Sequence, residues 1–372
     1  MLSKTIQDYR LCVRCAERQG ASGLSGPRRS EDCYICEGMM AKVEAEARDI
    51  SRRVRKYEFR SFAIGLTLPE GVQEREDEFR SNLKLQGKET IRAQAARMIG
   101  GLVALTTRKR LDRQRPDLTA VVDMADGVIS ISSKPVFFYG RYTKPSGIAQ
   151  KREVCDACRG RGCGTCHMSG FDRGPSVENE LRKKLSLKCG TDRMKFTWLG
   201  SEDRDSRVLD PGRPFVVELK NPVRRKIPKR FAVRSGGRLV RVSKGKMLPS
   251  KPVRLPSFVF RTIIRASYSG ALGADALAEI RRRFRRAVVR FDRPHDRPTS
   301  KIVYLARARK RGRDLVIEAV LDGGLPVKRF VSGELVSPSV SEVLKTEVRC
   351  RTFDICEVKE TGKFGFAKIT RL

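Results

Sequence analysis

The stretch Gly200–Pro222 reads GSEDRDSRVLDPGRPFVVELKNP. It opens as a loop with four acids, Glu202, Asp203, Asp205 and Asp210, set among basic residues. Pro211-Gly212 predicts a tight turn. The apolar run Phe215-Val-Val, flanked by charges between Arg213 and Lys220, has the pattern of a buried strand, and Asn221-Pro222 closes it. An acidic loop against such a strand, in a chain of formal net charge +36, has two readings. It can be a solvated turn whose acids offset nearby arginines. It can be a site where surrounding cations keep one carboxylate ionised.

The rest of the chain sets the context for that choice. A length of 372 residues suggests two or three domains and is ample for a sizeable core. Lys plus Arg number 79 against 43 Asp plus Glu, and the pI is near 10.4. Such an excess implies a polyanionic partner. Nucleic acid is the commonest soluble one, with strongly salt-dependent binding. A thermophile or halotolerant surface is the alternative, but those mix both signs or run acidic. No apolar run reaches the length of a membrane span and no signal peptide precedes the first cysteines. The expectation is a cytoplasmic protein, a monomer, with no membrane partner. Only two histidines occur, His167 and His295, which argues against histidine-based catalysis.

Eleven cysteines without a secretory signal point to metal ligands rather than disulfides. Cys12-Val-Arg-Cys15 and Cys33-Tyr-Ile-Cys36 are two knuckles separated by a Gly/Ser/Arg-rich loop. Four thiolates close a tetrahedral zinc site and leave no open coordination position, so a structural role is expected. A second quartet, Cys155, Cys158, Cys163 and Cys166, falls within twelve residues interleaved with glycines. It predicts a compact zinc knuckle, with Arg159 and Arg161 either solvated or touching phosphate. For the first quartet the competing readings are two redox dithiols or buried free cysteines, and for the second a disulfide pair.

Along the chain, Tyr57–Leu66 predicts a strand. Ile91, Ala95, Met98, Leu102 and Leu105 predict one face of a helix from about Lys88 to Lys109, opposite Arg92, Gln94 and Arg97. A hairpin turning at Asp126-Gly127 follows, then the strand Pro135–Tyr142, leading to Lys144. Val177–Leu187 predicts a helix, and Trp198 is expected in the core beside the loop. Residues 223–257, with Arg224, Arg225, Lys226, Lys229 and Arg230, form a basic hairpin that is either solvated or in contact with phosphates. Phe258–Ala266 predicts a strand and Ala271 to about Val289 a helix. Residues 301–308 and 314–321 predict two strands around a basic tip, Arg309–Arg313.

On its motifs the chain resembles the archaeal and eukaryotic tRNA pseudouridine synthases that modify positions 54 and 55 of the TΨC arm. The likeness rests on Gly200-Ser-Glu-Asp203 followed by Asp205, Arg207, Leu209 and Gly-Arg-Pro-Phe-Val-Val-Glu-Leu-Lys-Asn-Pro. It also rests on the paired cysteines and on Gly324-Leu-Pro-Val-Lys328-Arg-Phe-Val-Ser-Gly-Glu334. The resemblance implies an α+β protein, a pseudouridine synthase core with a central antiparallel sheet plus an N-terminal zinc-containing THUMP-like α/β accessory domain. It divides the chain into a zinc module at 1–50, a THUMP-like domain at 51–150, a cysteine-rich linker at 151–175 and a catalytic domain at 176–372.

The resemblance further implies that Asp203 is the catalytic carboxylate and Lys328 its basic partner. Arg207, Arg213, Lys220, Asn221, Arg224 and Tyr268 are expected to contact the substrate tRNA at the TΨC arm and elbow. No organic cofactor is implied, and zinc is expected to stay outside the chemistry. The chain departs from the family pattern at Ser201, where arginine is usual. It also carries Ile263 or Ile264 in place of a strand tyrosine, and Leu325-Pro326 near the position of a second tyrosine. Tyr268 is one candidate for the missing ring. A tRNA binder that has lost the isomerisation and a zinc-ribbon ribosome-associated protein are the two other functions open to this sequence.

Overall fold

The computed structural model describes residues 8–20, 30–292 and 298–366, so His295 and residues 21–29, between the first two cysteine pairs, lie outside the described residues. The chain divides into two compact units. One comprises residues 1–135 with 220–225, and the other 136–219 with 226–372.

The first unit is built as an α/β layer. Its helices are α1 (Val13–Gln19), α2 (Met39–Val54), α3 (Val72–Asn82) and α4 (Ile91–Thr107). Strands β1 (Ser61–Thr67), β2 (Arg110–Leu111), β3 (Leu118–Asp123) and β4 (Ile129–Ser133) form a sheet in the order β2-β1-β3-β4. On α2, Met39, Val43, Ala47, Ile50 and Val54 recur at helical spacing and are all buried. Thr90 caps α4 by accepting from the Ala93 amide. The expected face of α4 is off by part of a turn. Leu105 is exposed, whereas Gln94 is buried, because Arg18 needs a polar partner there. The Arg18 guanidinium bonds Glu76 and Gln94 at 2.6 Å each, with the Arg18 and Glu76 side chains fully buried. This pair ties α1, α3 and α4 into one core.

The second unit centres on an eleven-stranded sheet. In chain order its strands are β5 (Val136–Lys144), β6 (Met194–Trp198), β7 (Val208–Leu219), β8 (Phe231–Ser235), β9 (Arg238–Leu248), β11 (Phe258–Tyr268), β12 (Ala287–Phe291), β13 (Thr299–Arg311), β14 (Asp314–Asp322), β15 (Val336–Ser337) and β16 (Val348–Glu360). A short β10 (Pro252–Arg254) pairs with β17 (Gly365–Phe366) outside it. Helices α5 (Val177–Cys189), α6 (Ala274–Arg283), α7 (Val327–Ser332) and α8 (Val340–Leu344) complete the unit.

The structure departs from four sequence expectations. The sheet is mixed rather than antiparallel. Its halves, β15-β12-β13-β14-β11-β16 and β7-β5-β9-β8, meet at a parallel contact in which Val208 pairs with Ile355. The contact is polar at its root: the Ile355 amide donates to the Arg207 carbonyl, and the Arg207 amide donates to Asp354 Oδ1. Strand β5, assigned to the accessory domain by sequence, instead pairs with β7 and β9 in this sheet. Strand β7 begins at Val208 and runs through Pro211-Gly212, where a tight turn was expected. A register shift opposite Tyr142 and Lys144 absorbs the extra residues. Helix α6 stops at Arg283, and the β-branched pair Val288-Val289 goes into β12.

Candidate active site

The site is assembled on the loop between β6 and β7. Gly200 adopts φ +94°, and a Cβ there would lie 1.8 Å from the Arg213 guanidinium, so only glycine fits. Beyond it the two acids part company. Glu202 turns inward, with its side chain fully buried. It accepts from Tyr142 Oη at 2.5 Å and Gln150 Nε2 at 3.1 Å, and Arg213 Nη1 lies 3.2 Å away as an ion pair without hydrogen-bond geometry. Burial pushes the Glu202 carboxyl up from its ordinary value, and Arg213 opposes that shift.

Asp203 turns outward. Its Oδ2 sits 2.9 Å from Lys328 Nζ, with side-chain exposures of 42% and 54%. Lys328 is held up by its hydrogen bond to Asp203. Lys328 comes from α7, which Pro326 starts and which packs on β16. The two motifs, far apart in sequence, therefore converge.

The pair opens into a cavity of about 720 Å³. Trp198, Phe260, Leu325, Phe353 and Ile355 give it an apolar lining, and Lys151, Arg213 and Arg329 supply cations. This combination suits a flat heteroaromatic group joined to an anionic backbone: rings for stacking, cations for phosphate. Phe260 lies on β11, on the same buried face as Ile264. Ile264 is core, Ile263 faces a separate depression near Arg307, and neither lines this cavity. Tyr268, the sequence candidate for an aromatic ring, does not line it either. It stands eight residues beyond Phe260 on β11, about 26 Å along an extended strand.

The other expected contacts divide by location. Arg213 lines the cavity, but as the buried partner of Glu202. Arg207 pins the parallel strand contact through Asp354, at 2.6 Å, and remains about half exposed. Burial opposes the charge on Asp354, but hydrogen bonds from Arg207 and Arg265 outweigh it and hold that carboxyl below its ordinary range. Lys220, Asn221 and Arg224 belong to the first unit and do not line the cavity. There the Asn221 side chain accepts from the Ser133 amide at 2.7 Å. Sequence reading had no signal for Lys151 or Phe260, and it gave Glu202 no separate role from its neighbour.

Both cysteine quartets are brought together, with all four sulfurs of each within 4.8 Å of one another. Cys12 and Cys36 Sγ are 3.7 Å apart, Cys158 and Cys166 3.7 Å, and Cys163 and Cys166 3.8 Å. A tetrahedron with metal–sulfur bonds of about 2.3 Å has edges of about 3.8 Å, so the donors fit a tetrahedral metal ion. In the second quartet, backbone amides of Gly162, Cys163 and Gly170 donate to thiol sulfurs at 3.2–3.3 Å. At Gly170, φ +73°, an added Cβ would meet the Gly160 carbonyl at 2.4 Å.

Comparison with known proteins identifies the relatives of this arrangement. The matching family models are the archaeal Pus10 THUMP domain, over residues 47–123, and the Pus10 C-terminal domain, over 137–246. The tRNA pseudouridine synthase Pus10 of Cenarchaeum symbiosum is 33% identical, across 93% of this chain and 86% of that protein. The protein of the same name from Nitrosopumilus maritimus is 29% identical, across 96% of this chain and 97% of its own. A solved Cbf5-Nop10-Gar1 complex aligns with a TM-score of 0.32 and 8% identity, over 59% of this chain and 48% of that one, too distant to bear on the argument. The chain belongs to the Pus10 family. No helix among the described residues is long and apolar enough to cross a membrane.

Proposed function

We propose that this chain isomerises uridine to pseudouridine in tRNA, at position 54, position 55 or both in the TΨC arm, with Asp203 as the catalytic carboxylate. The observation that carries the reading is the 2.9 Å pairing of Asp203 with Lys328 at the mouth of an aromatic-lined cavity. The glycosidic carbon of a stacked uridine is out of reach, so the nucleotide must be everted into that cavity. Its ring then lies against Trp198, Phe260 and Phe353, while Lys151 and Arg329 face its phosphate side. Asp203 breaks the glycosidic bond, either by attacking the ribose carbon or by removing the proton at its 2′ carbon. The freed uracil turns on the aromatic floor and re-bonds through carbon 5, displacing the Asp203 carboxylate from the ribose or taking the 2′ proton back from it, and the proton lost from carbon 5 is balanced by one gained at N1. Lys328 holds the carboxylate in its reactive orientation.

Phe260 supplies the ring that the usual strand tyrosine would give, and Ser201 leaves the Asp203–Lys328 pair intact. Both features favour an active enzyme over a binder that has lost the chemistry. Mapping pseudouridine in an unmodified tRNA transcript incubated with the protein tests the reading. Modification in the TΨC arm is expected, and an unmodified arm under saturating protein would refute it in favour of the binder. Zinc is the proposed occupant of both quartets. Metal analysis of the purified chain should give two zinc ions, and one or none would remove the corresponding site.

A further inference from the structure

Displacement chemistry needs its carboxylate placed to within a fraction of an ångström, and misplacement by about 1 Å costs roughly 100-fold in rate. Asp203 nevertheless sits in a segment without helix or strand, between Leu199 and Arg207. Gln150 and Arg213, both buried, bond the carbonyls of Gly200 and Leu199 at its start, and Lys144 reaches the main chain at Asp203 and beyond. Lys144, the last residue of β5, is 2% exposed. Its ammonium donates to the backbone carbonyls of Asp203 at 3.1 Å, Arg204 at 3.2 Å and Ser206 at 2.5 Å. An ammonium has three N–H donors, and here three carbonyls take them. The Ser206 amide closes back on the Asp203 carbonyl at 3.2 Å, and the Gly147 amide donates to the Arg204 carbonyl at 2.9 Å. The cation therefore nests inside a turn of main chain.

We infer that Lys144 is the positioning residue of this site: its ammonium, clamped on the backbone of Asp203, Arg204 and Ser206, fixes the direction in which the Asp203 carboxylate leaves the loop. The inference rests on the reading of Asp203 as the catalytic carboxylate. It gives the loop a proton-dependent limit. Burial pushes Lys144 down to about 8, against the pull of Glu202, Asp203 and Asp205 and with Arg213 adding to the push. On its other side Lys144 shares a groove with Arg207, Asp210, Arg238 and Arg241. A neutral amine keeps two donors and turns a lone pair toward the third carbonyl, so the turn loosens as the pH climbs past that value.

The test uses the full chain with Lys144→Met and Lys144→Arg, alongside Asp203→Asn. Lys144→Met should lower kcat about 100-fold while KM for tRNA changes less than about threefold. Amide hydrogen exchange should quicken over 199–207 and stay unchanged in β11. In the parent, kcat should fall on an alkaline limb near pH 8. In Lys144→Arg, whose guanidinium stays protonated, the limb should move up or vanish. Parent-like kcat and parent-like exchange in Lys144→Met would overturn the inference. Should that variant fail to fold, an alkaline limb unmoved in Lys144→Arg would do the same. If Asp203→Asn keeps its activity, the catalytic reading falls instead, and the exchange data still report whether Lys144 holds the loop.

Discussion

Two neighbouring carboxylates, Glu202 and Asp203, meet opposite fates within one loop. Glu202 is sealed against Tyr142, Gln150 and Arg213, with no side-chain exposure. Asp203 stands at 42% exposure against Lys328, facing a cavity. A buried, fully engaged acid is a structural anchor, because any change in its charge must be matched by its partners. A half-exposed acid beside one flexible cation is cheap to hold and free to react. The difference teaches that one acidic loop in a basic chain can hold two environments: one acid offsets a buried arginine, and the next stands exposed beside a lysine at a cavity.

The largest expected effect separates the two residues by function. Asp203→Asn should abolish pseudouridine formation, by about 10⁴-fold or more, with tRNA binding retained and the melting temperature within about 2 °C of the parent. Lys328→Met comes next. It should cost roughly 100- to 1,000-fold in kcat, read in single-turnover assays, and less than about 1 kcal/mol in stability, because the pair is half exposed. Arg213→Ala reverses that pattern. It leaves Glu202 buried without its cation and should destabilise the second unit by about 3–5 kcal/mol, a fall in melting temperature of roughly 10 °C.

The smallest effect is a pH dependence. The folded carboxyl of Glu202 is raised by burial, so the folded state holds its proton to higher pH than the unfolded chain, whose value is about 4.3. Its contribution to stability is present below that unfolded value and is lost as pH rises through the raised one. Denaturant unfolding across acidic to neutral pH should show this slope, and Glu202→Gln should lack it.

Much of this was legible in the sequence, and the failures have physical causes. The quartets could be read because ligand spacing is a local property: a knuckle of four residues carries its own geometry. The pairing of Asp203 with Lys328 followed from two motifs, and the structure places them 2.9 Å apart. The parallel contact of Val208 with Ile355 could not be read, since register between distant strands leaves no local pattern. The ring at Phe260 was missed because β11 alternates regularly, and its sequence does not say which of Phe260, Thr262 and Ile264 reaches the cavity end. Lys144 stood out only as a basic residue after an aromatic strand, and its hold on the loop left no signal, because its partners are main-chain carbonyls that any residue supplies.

The division of labour between the two acids is tested most directly by Asp203→Asn and Glu202→Gln assayed side by side on one unmodified tRNA transcript, with melting curves recorded on the same samples. The account predicts a folded, tRNA-binding but inactive Asp203→Asn, and a Glu202→Gln that still forms pseudouridine while its stability is altered. Pseudouridine from Asp203→Asn at the parent rate, or a fully inactive yet undisturbed Glu202→Gln, would contradict it.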